Sequence, residues 1–445
     1  MTAPTAGPSQ PDDSMRGSVH ICLTAIVAGV LIGFVGGAFR WCLQTADHLR
    51  AELVDWTHHL PGPGWLIPMA AAAAGATLAA LIVRWEPLAA GSGIQHVEAV
   101  FLGEARPPLI RLVPAKFVGG VLSIGSGLVL GREGPTVHMG AAIGAEAARR
   151  ARLPDAEVRM MQTALGGAGL AVAFNAPIGG TLFTLEEVTK SFRVKTVLAT
   201  LFSCAAGVAC SRLILGNHAD FQVAHMDAPA LAWLPLFLVF GVLTGCLGAV
   251  YNGVTLWFLD HVGAIRRVPP LAKAAVIGAI VGLAMFVYPL SVGGGEDLTQ
   301  LILGGQHLVV SAIIGILAVR LLAGPLSYSA PVPGGLFAPL LAVGALWGLL
   351  FVGCFNAVWP EDASQLAVPM ALVGMAAFFG ATVRAPLTGM VVVTEMTATT
   401  ATLVPMMAAT AAAVLIANLL GSAPIYESLR ARMPDESSIE DRGRG

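Results

Sequence analysis

Arg132 and Glu133 stand side by side in the stretch GREGPTVHMG, between apolar segments of a chain in which only 12% of residues are charged. A charge at the centre of a bilayer costs at least ~2.5–3.5 kcal/mol on insertion scales, so an acid held there is functional by default. Glu133 lies where a glycine-rich turn enters a helix. The first N–H groups of a helix have no internal partner, and the helix dipole adds positive potential, so the position attracts negative charge. Either the carboxylate or a bound anion can satisfy it. A carboxylate that fills the site, then takes up a proton and leaves when an anion arrives, links anion arrival to proton uptake.

Two further turns have the same make-up: GSGI, holding Ser92, and GGLFAP, holding Leu336 and Phe337. Glycine lets the backbone approach a ligand, and proline fits the first helical turn because its missing N–H would be unpaired anyway. Several such helix starts converging at mid-membrane make an anion site without a cationic side chain. Glycine and proline also kink membrane helices and permit close packing, which for any one motif is an equal alternative. Three turns in duplicated positions favour the anion site.

The remaining polar residues divide by what they could do. Glu186 and Glu187 are adjacent in TLEEV, three residues before the basic segment that starts at Lys190, which sets Glu187 near one membrane face. Arg132 and Glu133 are poorly placed to pair with each other, since helical neighbours point about 100° apart. Glu186 and Glu395 occupy equivalent places in two similar segments and read as structural. Lys116 and Glu98 are candidates to neutralise charge near the pathway, and His138 reads as a satisfied core histidine rather than a proton relay. None of the ten histidines has metal-site spacing, and no nucleotide loop or nucleophile motif is present, so an enzyme is the poorer reading. A net charge of −2 suggests no nucleic-acid partner. The six cysteines, none in CxxC spacing, read as small apolar core residues.

Those residues need elements to hold them at depth. The chain has 445 residues, 56% hydrophobic, and a mean hydropathy of +0.76. Charged residues at half the usual share of about 25%, with apolar runs near 20 residues long, predict an all-α polytopic membrane protein. Ordinary spans are expected over roughly 20–42, 64–84, 196–215, 231–258, 271–288 and 307–323. Between Lys116 and Arg132 lie only fifteen residues, five of them glycine. As a helix these cover about 22 Å of a core about 30 Å thick. The uncharged run from Gly134 to Ala145 is shorter still. The turn GREGP therefore falls inside the membrane, where irregular backbone survives only if buried in protein or lining a cavity. Residues 1–19 are polar and proline-rich and read as disordered; 433–445 read as a charged tail, leaving no soluble domain at either end.

The interruptions recur. GREGPTVHMGAAIG aligns with GLFAPLLAVGALWG, matching Pro135 to Pro339, Gly140 to Gly344 and Gly144 to Gly348 at one constant spacing. NAPIGGTLFTLEE aligns with RAPLTGMVVVTEM, and GSGIQHVEAVFLG with VGGGEDLTQLILG. This predicts a membrane domain over 20–432 made of two repeats, about 20–215 and 231–432. The loops RRARLPDAEVR and KSFRVK are basic, whereas their counterparts GCFNAVWPEDASQ and MTATTATLV carry no basic residue. By the positive-inside rule the first pair faces the cytoplasm and the second the outside, so the repeats are inverted, as in many secondary transporters. Glu133 aligns with Phe337 and Glu187 with Met396, so both acids break the internal symmetry.

GSGI, GREGP, GGLFAP and a tyrosine near the C-terminus, in this order between about residues 20 and 432, resemble the CLC family of chloride channels and chloride/proton exchangers, in its prokaryotic form. The resemblance implies about eighteen tilted and partial helices in two inverted repeats, assembled as a homodimer in the cell membrane with both termini cytoplasmic. It implies that Ser92 and Tyr426 donate hydroxyls to a central chloride, joined by the backbone N–H groups of Leu336 and Phe337. It implies that Glu133 is the gating glutamate and Glu187 the internal proton glutamate. The expected activity is exchange of chloride, or a similar small anion, for protons, with no cofactor. A passive channel on the same fold is the alternative, and Glu187 favours the exchanger. Of the four tyrosines, only the family motif selects Tyr426. The family's usual GSGIPE here reads GSGIQH, placing Gln95 and His96 where proline and an acid stand.

Overall fold

Backbone N–H and C=O groups find no water partners in hydrocarbon, so apolar runs of this length satisfy them internally as helices. The computed structural model describes residues 11–306, 308–359 and 363–433. Seventeen α-helices lie among them, close to the eighteen expected, and eight are long and apolar enough to cross a membrane. The expected spans appear as α1 (Pro11–His58), α2 (Leu66–Trp85), α8 (Val194–Leu215), α9 (Leu234–Ala264), α10 (Pro270–Val287) and α12 (Val310–Tyr328). The shorter interruptions become α3 (Ile94–Leu102), α4 (Leu112–Gly125), α5 (Glu133–Arg150), α6 (Asp155–Phe174) and α7 (Pro177–Phe183) in the first half. Their counterparts are α11 (Glu296–Leu303), α12 for α4, α13 (Phe337–Val358), α14 (Ala367–Val383) and α15 (Pro386–Thr397); α16 (Leu403–Leu419) is the counterpart of α8, and α17 (Ile425–Arg430) follows.

Four expectations need correction. The chain is already helical from Pro11, inside the segment read as disordered. A proline is compatible with a first helical turn, and no breaker separates it from the apolar run; residues 1–10 lie outside the described residues, as do 434–445 of the expected tail. Helix α1 also runs on to His58, because TADHLRAELVDWTH is rich in helix formers and Asp47 pairs with Arg50 one turn on at 2.5 Å. Helix α5 is not a half-length segment. It continues through Arg150 because Glu146 pairs with Arg149 and Arg150 on its own surface, at 3.5 and 2.8 Å. The cysteines are free, but Cys246 and Cys354 are exposed rather than in the core.

The duplication is visible in contacts. Helix α2 packs on its counterpart α10 with Gly278 against Ala72 and Gly282 against Pro68, an antiparallel register. Equivalent helices that meet antiparallel relate the two halves by inversion. The same relation joins α7 and α15. Glu395 accepts the N–H groups of Ile178 and Gly179 at 3.1 and 2.7 Å, while Glu186 accepts those of Leu387 and Thr388 at 3.0 and 2.7 Å. Each acid caps the helix start of the other half. The structural reading of both residues thereby acquires its geometry.

Helices α1 and α8 pack in parallel, with Gly29 against Ser203 and Gly33 against Gly207; α9 and α16 do the same, with Gly241 against Ala409 and Gly245 against Ala413. The core buries α5, α6, α13 and α14 almost completely. The starts of α5 and α13 meet at the interruptions.

Candidate functional site

The turn before α3 is held from three sides. Gly91 donates its N–H to Val332 at 2.9 Å and its carbonyl accepts from Gly334 at 3.1 Å. Lys116, fully buried on α4, donates to the carbonyls of Gly91 at 2.6 Å, Ser92 at 3.2 Å and Ala90 at 3.4 Å. Lys116 thus gathers three carbonyls of the turn on one side. Ser92 is fully buried and its Oγ has no partner. It lies against Gly134, where a Cβ would come within 2.8 Å of the Ser92 Cα, so only glycine admits this approach. Gly93, at φ +91°, reverses the chain into α3.

Glu133 opens α5 and is fully buried. Its Oε2 accepts the backbone N–H of Ala338, in the first turn of α13, at 3.2 Å, and its Oε1 has no partner. The acid therefore sits at the positive end of a helix from the other repeat. Gly131 and Gly335 exchange N–H···O bonds of 2.7 and 2.8 Å, which fastens the two helix starts together. Leu336, at the N-cap of α13, and Phe337, its first residue, are both buried, and their N–H groups have no acceptor within the helix. Arg132 points elsewhere: it donates to Glu296 at 2.8 Å and to the Ala173 carbonyl at 3.1 Å, and lies 3.5 Å from Asp220, which also binds Arg40 at 2.8 Å. Glu133 is left without a cationic partner in contact.

Helix α17 packs on α3 and brings in Tyr426, which is fully buried with an unpartnered hydroxyl. Glu133, Glu98, Glu187 and Tyr328 all lie within electrostatic reach of that hydroxyl. The chain beyond α7 tightens into a π turn, Thr184–Val188, which buries Glu187 and leaves Glu186 to cap α15. Glu187 and Glu98 are electrostatic neighbours. The structure thus brings Ser92 against the start of α5 and the start of α5 against that of α13, with Tyr426 in electrostatic reach of Glu133 and of Glu187 with Glu98.

Two features escaped the sequence. The network of Arg40, Asp220, Arg132 and Glu296 joins four distant segments, and no local spacing announces it. His138 is only half satisfied: its Nε2 meets His96 Nδ1 at 3.0 Å, while its own Nδ1 is buried against Gly93 without a partner. A histidine in the GSGI segment opposite one in GREGPTVHMG was the available signal.

Residues 74–418 match the family model described as voltage gated chloride channel. The H(+)/Cl(-) exchange transporter ClcA of Vibrio parahaemolyticus is 35% identical over 430 residues, covering 94% of this chain and 91% of the relative. That of Vibrio cholerae is 36% identical over 436 residues, with 95% and 91% covered. Among solved structures, a slow cyanobacterial Cl⁻/H⁺ antiporter superposes with a TM-score of 0.85 at 29% identity, over 93% of this chain and 97% of that one. A CLC-type fluoride/proton antiporter shares the fold, with a TM-score of 0.76 at 22% identity over 94% of this chain and 98% of that one.

Proposed function

The chain belongs to the voltage-gated chloride channel family, and from that premise we infer that it exchanges chloride for protons across a membrane. The relatives it resembles over most of its length are exchangers rather than channels. The observation that carries the mechanism is Glu133, a buried carboxylate seated on the Ala338 N–H at the start of α13. A carboxylate and a chloride have the same claim on that helix start, so each displaces the other. Ser92, Tyr426 and the N–H groups of Leu336 and Phe337 are then the donors that hold the chloride when Glu133 has left. Charge-assisted hydrogen bonds from such groups replace the anion's water shell without a net cation.

Glu187 is the internal proton glutamate in this reading. It is buried beside Glu98, and the ion pair of Lys190 with Glu427 lies close to it. The basic loops lie on one face with α17, since Lys190 pairs with Glu427 and Arg430 lies 3.6 Å from Glu104. The parallel packing of α1 on α8 puts the start of α1 beside the segment KSFRVK. Both ends of the membrane domain accordingly face the cytoplasm, by the positive-inside rule. The protein acts as a homodimer in the cell membrane, as its family resemblance implies, with one pathway per subunit.

Chloride titration by calorimetry tests the competition. Glu133→Ala removes the carboxylate from the α13 start and is expected to bind chloride several-fold more tightly than the wild type. An unchanged affinity would place Glu133 outside the anion site.

A further inference from the structure

Four tyrosines are present; three are buried with unpartnered hydroxyls, and their surroundings separate them. Tyr288 is 45% exposed, and Tyr251 is buried against Phe378 and Gly324, away from the glycine-rich turns. Tyr328, the last residue of α12, is buried alongside the turn that carries Ser92. The chain that follows it, Val332 to Gly334, is the segment hydrogen-bonded to Gly91 on both sides. A Cβ on Gly91 would sit 3.5 Å from the Tyr328 hydroxyl and 3.7 Å from the Gln95 Nε2. That hydroxyl lies against the Ser92 backbone and the Gln95 amide, yet reaches hydrogen-bond geometry with neither. It also lies within electrostatic reach of the Tyr426 hydroxyl.

We propose that Tyr328 supplies a second phenolic hydroxyl to the transported anion and that Gln95 orients it, so that two tyrosines and Ser92 read the anion in this chain. The proposal rests on the reading of Ser92 and Tyr426 as anion donors. Three hydroxyls, Ser92 Oγ, Tyr328 Oη and Tyr426 Oη, are buried within one neighbourhood, and all three lack a partner in the protein. Burying a hydroxyl without a partner is unfavourable, and a phenylalanine would fill the same ring volume without that cost. An anion accepts from all three at once. The Gln95 amide nitrogen is the atom turned toward the Tyr328 side of Gly91; an N–H donated to the phenol oxygen leaves the phenol O–H directed at the anion. Gln95 stands where the resembling motif has a proline, which offers no side-chain donor. An added hydroxyl favours a small, strongly hydrated anion over a large, weakly hydrated one.

Calorimetric titration of purified full-length protein with chloride, and separately with thiocyanate, tests this. Tyr328→Phe is expected to weaken chloride binding about tenfold, the effect of losing one hydrogen bond to a charged group, and to change thiocyanate binding less. Gln95→Ala should weaken chloride in the same direction by a smaller factor, and Tyr251→Phe should change neither anion. Unchanged chloride affinity in Tyr328→Phe, with Ser92→Ala and Tyr426→Phe both weakened, overturns the proposal and leaves the site intact. If Ser92→Ala and Tyr426→Phe are themselves unaffected, the reading of the site fails, and the proposal with it. Should Tyr328→Phe melt well below the wild type, Gln95→Ala, on a half-buried residue, decides: a chloride loss supports the proposal and none overturns it.

Discussion

Glu133 and Glu187 are both buried acids, yet their surroundings ask different things of them. Glu133 has a helix start to occupy and a second oxygen without a partner, which suits the exchange with an anion proposed for it. Glu187 has another carboxyl, Glu98, as an electrostatic neighbour, which fits the proton-carrying role proposed for it rather than a chloride site. Its counterpart in the other repeat is the apolar Met396, which shows that the fold accepts a neutral residue at that place. Glu187→Gln keeps size and hydrogen bonding but cannot carry a proton. The variant is expected to fold and move chloride in liposomes while losing chloride-driven proton movement. Undiminished proton movement would remove Glu187 from the proton route. Glu186→Gln, on the capping acid next to it, should retain at least part of the coupling.

At the scale of elements, the glycine-rich turns work because other elements hold them open. Glu186 and Glu395 each fasten the short helix of the opposite half, and Glu186 takes a third bond from the Thr388 hydroxyl at 2.7 Å. Glu186→Ala is therefore expected to destabilise the protein by about 1.5–3 kcal/mol, the usual range for hydrogen bonds to a charged group. The thermal midpoint in detergent should fall, and an unchanged midpoint would show that the α7–α15 contact is held by packing alone. The equivalence of these two acids was legible from Ala-Pro followed by glutamate in both halves, and so were six spans and the three turns. The starting points of α1 and the length of α5 were not, because charged residues that pair along one helix look like an end in sequence. Lys116 could not be assigned either: its role depends on three carbonyls some two dozen residues away, which only the folded turn brings together.

Across the whole molecule, antiparallel contacts between equivalent helices leave α1 and α9 starting on opposite faces. In a cysteine-free background, Ala156→Cys, between α5 and the body of α6, should react with an impermeant maleimide only from the cytoplasm. Asn217→Cys, between α8 and α9, should react only from outside. Labelling of both from one side would break the inversion. The central claim is that the fold couples chloride to protons, and liposomes loaded with chloride and diluted into chloride-poor medium test it directly, with valinomycin and potassium to dissipate the voltage. Chloride leaving through an exchanger must bring protons in, so the outer medium should turn alkaline against no initial pH gradient, and Glu133→Gln should abolish this while still releasing chloride. Chloride release from wild-type vesicles with no proton entry would contradict the account and make the protein a passive channel.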